Sequence, residues 1–179
     1  MISVFIGTNR PNSKSKIVGE FYYSICKELY QGDVNLFSLE NLPSSILHSE
    51  MYSEDAQSPE LRSIQEKYII PADRWIFVVP EYNGSFPGVL KLFIDAISVK
   101  DYKATFSNKK SAIVGVSSGR SGNLRGLDHL TNCLNYVGTD IYRNKLPISS
   151  INSLISEKNE INQETKNLIR GHVQGFLEY

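Results

Sequence analysis

Three polar stretches hold most of the residues in this chain that could do chemistry, and each follows a run of apolar residues. The first, "GTNRPNSKSK" (Gly7 to Lys16), offers the hydroxyls of Thr8, Ser13 and Ser15, the guanidinium of Arg10 and the ammonium groups of Lys14 and Lys16. A helix starting near Ser15 adds free backbone N–H groups, so this set suits a phosphate, which Arg can meet with paired hydrogen bonds. The plain alternative is a helix N-cap with solvated basic residues. The second, "PEYNGSFPG" (Pro80 to Gly88), sets an aromatic, an amide and a glycine side by side as Tyr82, Asn83 and Gly84. Gly84 permits a left-handed backbone, Asn83 tolerates one, and Tyr82 supplies a flat face, which together suit close approach to a planar ligand. Pro87 stands where a helix would begin. The third, "SSGRSGN" (Ser117 to Asn123), has accessible backbone donors around Ser117, Ser118, Gly119 and Gly122. None of the three is a P-loop or a dinucleotide fingerprint, because neither G-x-x-x-x-G-K-[ST] nor G-x-G-x-x-G is present.

The elements that must position these stretches can be read from periodicity. "ISVFIG", "WIFVVP" and "AIVGVSS" are Val/Ile-rich runs ending at Gly, Pro or Ser, as strands buried on both faces do. "VNLFSL" (Val34 to Leu39) is more mixed and suits an edge, and a fifth strand falls around Thr139 to Tyr142. Between them lie helical stripes: Ile17 to Leu29, Leu61 to Tyr68, Val89 to Ile97, Leu124 to Val137 and Ile161 to Leu177. Alternation of this kind predicts an α/β, flavodoxin-like three-layer sandwich, with a five-stranded parallel sheet in the order 2-1-3-4-5. Ligands of such sheets bind beyond the carboxyl ends of the strands, where all three polar stretches converge. A single domain over residues 1–179 is expected. Glu40 to Pro59 lacks periodicity but keeps Ile46, Leu47, Met51 and Tyr52. It reads as a loop packed at the site or at a subunit contact, or as a short irregular surface helix.

The bulk numbers exclude several classes. Lys+Arg and Asp+Glu both number 19, which argues against a nucleic-acid binder and against an acidic electron shuttle docking by charge. No apolar stretch approaches the roughly 18–20 residues of a membrane span, and the start does not read as a signal peptide, so a cytoplasmic protein is expected. Cys26 and Cys133 both fall in apolar helical patterns and are expected as buried thiols. His48, His129 and His172 are too widely spaced for a metal site. Glu81 is a possible acid, with a surface carboxylate as the plainer reading.

The three stretches, as "GTNRPNSKS", "PEYNGSFPGVLKLFIDAIS" and "SSGRSGNLRGLDHL", resemble in order the loops of the NAD(P)H-dependent FMN reductase family, which includes azoreductases, quinone reductases and chromate reductases. The resemblance covers roughly residues 2 to 140. It implies FMN held without a covalent bond, with Thr8, Arg10, Ser13 and Ser15 on its phosphate. Pro80, Glu81, Tyr82, Asn83 and Gly84 would lie along the ring, and Ser117, Ser118, Gly119 and Gly122 at its other edge. It further implies an enzyme in which NADPH or NADH passes a hydride to flavin N5. A small-molecule acceptor (quinone, flavin, azo compound or similar) then takes the electrons in ping-pong order, with no catalytic side chain and no metal. Homodimers or homotetramers are implied as well. A flavodoxin-like electron carrier without significant NAD(P)H turnover is the alternative. Two departures from the family pattern are Ala96 after Asp95, where a Trp is common, and Asn123, where a second glycine is common.

Overall fold

A computed structural model describes residues 1–179, and the three Val/Ile-rich runs form the centre of its sheet. They are β1 (Ile2–Ile6), β3 (Arg74–Pro80) and β4 (Lys110–Val116). β2 (Val34–Ser38) takes one edge, as its mixed composition predicts. The order is β2-β1-β3-β4-β5, and every pairing is parallel. The expected flavodoxin-like order therefore holds, with one refinement. The fifth position is filled by two short pieces, β5 (Asp140–Ile141) and β6 (Leu146–Ile148), both paired with β4. The break falls at residues 142–145. Tyr142 there packs its ring on His172, Phe176 and Tyr179, and Pro147 sits in β6, where an outer strand tolerates a missing N–H.

Alternation along each strand divides the core by residue type. Phe5, Trp75, Phe77 and Ile113 face one layer, and Ile2, Val4, Ile76, Val78 and Val114 face the other. The first layer is aromatic, with Phe5 stacked on Phe77 at 5.0 Å between ring centroids. It is covered by α3 (Gly88–Ile97) and α5 (Leu124–Tyr136), with α2 (Pro59–Ile64) and α4 (Tyr102–Phe106) beside them. The second layer is mainly aliphatic and lies under α1 (Lys14–Leu29), α6 (Ile151–Leu154) and α7 (Gln163–Glu178). The apolar stripes read from the sequence are the faces these helices bury. α2 continues into one π-helical turn, Gln65–Ile69, where the two Nε2 hydrogens of buried Gln65 are shared among Ile97 O, Lys100 O and Thr105 Oγ1.

Residues 40–59 form three short 3-10 turns. Ile46 and Met51 are buried beside Leu61 and Ala96, while Leu47 and Tyr52 are exposed. Cys26 is buried, and burial pushes its thiol up to about 12. Cys133 corrects the expectation of two buried thiols: it is half-buried, because it sits at the margin of the α5 stripe beside a surface depression.

α1 and α7 are joined by a buried polar contact. His172 Nε2–H donates to the Asn144 carbonyl at 2.7 Å, because a carbonyl can only accept, and His172 Nδ1 then accepts from the Tyr22 hydroxyl at 3.0 Å. Burial lowers the His172 pKa, and the Asn144 bond opposes this only in part. The unfolded chain therefore takes up a proton first, and stability present above the unfolded value of about 6.5 is lost as pH falls below it. His172→Gln is expected to cost about 1–3 kcal/mol at pH 7 through unmade buried bonds. The stability gap between wild type and variant, measured by urea unfolding, should narrow between pH 7 and pH 5. A gap independent of pH contradicts this account of His172.

Candidate functional site

The loops following β1, β3, β4 and β6 meet at the carboxyl edge of the sheet and enclose a cleft of about 420 Å³. That volume lies within the range of small-molecule sites. The loop after β1 supplies one end. Ser13 caps α1, its Oγ accepting from Lys16 N–H at 3.2 Å, and Ser15 is buried in the first turn. The first-turn N–H groups of α1 have no partner within the helix, and their dipole favours an anion. Arg10 and Lys14 line the same end, and neither forms a salt bridge. Lys16, read from the sequence as part of this field, is paired instead with Glu40 at 3.1 Å.

The loop after β3 forms a second part of the wall. Tyr82 and Ser85 exchange backbone hydrogen bonds of 2.9 and 3.0 Å around Asn83 (φ 51°) and Gly84 (φ 75°), a two-residue turn with both central residues left-handed. A Cβ on Gly84 would meet only Arg125, at 3.9 Å, so the position needs glycine for its φ and not for space. The Tyr82 hydroxyl is 2.9 Å from Oγ1 of fully buried Thr8, which also accepts from Arg10 N–H at 3.2 Å. That contact fixes the first loop against the second. Ser85 Oγ lies 2.9 Å from His129 Nδ1 on α5.

The loop after β4 is held from within. Ser117 Oγ donates to Gly119 O and accepts from Gly122 N–H, both at 2.9 Å. Gly122 (φ 59°) lies against Pro147, where a Cβ would come within 2.6 Å. Asn123, fully buried and left-handed at φ 65°, donates from Nδ2 to Val79 O at 3.3 Å and Pro80 O at 3.0 Å. Its side chain occupies the space left by Gly126, whose Cβ would lie 2.1 Å from Asn123 Oδ1. Ser121 Oγ donates to Glu81 Oε2 at 2.5 Å, and Asn123 N–H reaches Ser121 Oγ at 3.4 Å. The third loop is thus sewn to the end of β3.

Of the residues singled out in the sequence, Arg10, Ser13, Ser15, Pro80, Glu81, Tyr82, Ser117 and Ser118 line the cleft. Thr8 stands behind Tyr82, while Asn83, Gly84, Gly119 and Gly122 shape the loops without forming its wall. Asn12, Val116, Ile151 and Asn152 also line it and were not foreseen. Ile151 and Asn152 follow the short β6, where a strand, two serines and a helix repeat in miniature the pattern of the other loops. No group of three or more His, Cys, Asp or Glu side chains is placed to hold a metal ion, and no helix is long and apolar enough to cross a membrane.

Comparison with known proteins gives consistent results. The profile of the family described as NADPH-dependent FMN reductase matches residues 1–152. A 2-hydroxy-1,4-benzoquinone reductase from a Burkholderia species is 31% identical over 136 residues, covering 76% of this chain and 70% of the relative. A quinone reductase from Pseudomonas putida is 29% identical over 169 residues, covering 87% and 90%. Among solved structures, the flavoenzyme NAD(P)H:(acceptor) oxidoreductase FerB from Paracoccus denitrificans superposes with a TM-score of 0.80. It is 20% identical and covers 99% of this chain and 95% of its own, a likeness of fold.

The Asn123 contacts yield a stability test. Asn123→Gly keeps the left-handed backbone but leaves buried carbonyls without their donor, an expected cost of about 1–3 kcal/mol. Asn123→Ala adds roughly 1–2 kcal/mol of left-handed strain. Denaturant unfolding should rank wild type above Gly above Ala. Equal losses for the two variants contradict the backbone argument.

Proposed function

The chain belongs to the NADPH-dependent FMN reductase family, and we propose that its cleft is the FMN site of an NAD(P)H-dependent reductase whose acceptor is a small oxidant of the quinone class. As a family member it is an oxidoreductase that uses FMN with NAD(P)H as donor. The carrier alternative has no support, since the matched relatives are themselves reductases.

The observation that carries the assignment is the make-up of the cleft lining. The lining gathers Arg10, Lys14, Ser13, Ser15 and the N-terminus of α1, a donor set with the chemistry of a phosphate site. The same lining includes Pro80 and Tyr82, whose rings suit a flat heterocycle. The residues therefore fit FMN laid with its phosphate on α1 and its ring along residues 80–84, bordered by 117–122. Thr8, Asn83, Gly84, Gly119 and Gly122 act through loop shape. When bound, FMN would supply the redox chemistry, hydride acceptance from NAD(P)H and electron delivery to the acceptor, for which we propose a ping-pong order.

The protein's own part is binding and orientation. Arg10 and the α1 N-terminus anchor the anionic tail, the Thr8–Tyr82 contact holds the wall in place, and no side chain acts as nucleophile. A quinone acceptor is supported by two relatives that reduce quinones by name. We place the whole chain, 1–179, in one cytoplasmic FMN-binding domain that assembles as a homodimer or homotetramer. Tyr136, Tyr102 and Leu124, apolar and exposed on the α4 and α5 side, offer a contact surface.

Two measurements test the reading. Protein mixed with FMN and separated from free flavin should be yellow and should bleach within seconds on anaerobic addition of NADPH. A flavin left oxidised contradicts the reductase assignment. Arg10→Ala should weaken FMN binding by about 1.5–3 kcal/mol, roughly tenfold to a hundredfold. Unchanged affinity in a fluorescence titration removes Arg10 from the phosphate site.

A further inference from the structure

Glu81 is the one carboxylate among the side chains lining the cleft, and it lies between Pro80 and Tyr82, in the stretch proposed to run along the flavin ring. Its placement is specific. Glu81 N–H is tied to Val116 O at 2.9 Å, which fixes the main chain, and Ser121 Oγ–H donates to Oε2 at 2.5 Å, which fixes the side chain. Ser121 is in turn bonded by Asn123, which is anchored to Pro80 O and Val79 O. Yet Glu81 forms no ion pair, although Arg10 and Lys14 line the same cleft and are themselves unpaired. A negative charge in an anion-binding cleft opposes the ligand's own charge. A network that holds it there without neutralising it calls for a role other than binding.

We propose that Glu81, positioned by Ser121, is an electrostatic regulator of the bound flavin's reduction potential. The inference rests on the FMN reading above and deepens it. Reduction adds negative charge to the ring, and a fixed carboxylate beside the ring repels that added charge more strongly than it does the oxidised form. Desolvation of the cleft by the ligand strengthens the effect. Glu81 therefore lowers the potential and makes the enzyme a stronger reductant toward its acceptor. Ser121 sets the magnitude by fixing the orientation of the carboxylate.

The test is a two-electron midpoint potential, measured on FMN-loaded protein by equilibration with a reference dye. Glu81→Gln keeps an acceptor for the Ser121 hydroxyl and removes only the charge. It should shift the oxidised-to-reduced equilibrium at least tenfold toward reduced, about 30 mV upward for a two-electron couple. Ser121→Ala should move it in the same direction by less. A Glu81→Gln potential equal to wild type, with FMN bound in both, overturns the proposal. So does failure of both variants to load FMN while wild type loads it, since Glu81 would then serve affinity. A wild-type chain that takes up no FMN overturns the underlying cofactor reading, a result distinct from the other two.

Discussion

A parallel sheet buried on both faces is open to the surface only at its ends, and the site of this protein follows from that constraint. β1, β3 and β4 are covered by an aromatic layer on one side and an aliphatic layer on the other. Because the strands run the same way, the loops that leave them all emerge at one edge. Chemistry-bearing residues from positions 8–15, 80–85 and 117–123 meet there although they are far apart in sequence. Burying so many polar and charged groups within the layers without partners would cost free energy.

Meeting at one edge does not by itself make a shaped cleft. Two contacts convert proximity into geometry. The Tyr82 hydroxyl closes on buried Thr8, and Asn123 reaches back to the carbonyls that end β3. Each joins loops that leave different strands. The cleft is consequently held in part by buried side chains, Thr8 and Asn123, that do not themselves line it. Asn123 serves both as a turn residue and as a donor. It takes the left-handed conformation, fills the space beside Gly126 and supplies donors that glycine lacks.

Much of this was legible in the sequence. The Val/Ile runs gave the strands, the 3.6-residue stripes gave the helices, and the polar stretches marked the edge where the site lies. The left-handed turn at Asn83 and Gly84 was readable because those residue types carry a backbone preference of their own. What stayed hidden depends on contacts distant in sequence. Nothing local says that Lys16 is engaged by Glu40, that Ser117 turns inward to its own loop, or that Ile151 and Asn152 complete the cleft. The interruption between β5 and β6 was equally unreadable, since it reflects Tyr142 packing on α7.

The central claim is that the cleft recognises a phosphorylated flavin through the N-terminus of α1 and the side chains around it. The most direct measurement is the affinity of flavin-free protein for FMN against riboflavin, which differs only by the phosphate. The account predicts that FMN binds about a hundredfold more tightly or better, the yield of two or more charge-assisted hydrogen bonds. Equal affinity for the two would contradict it.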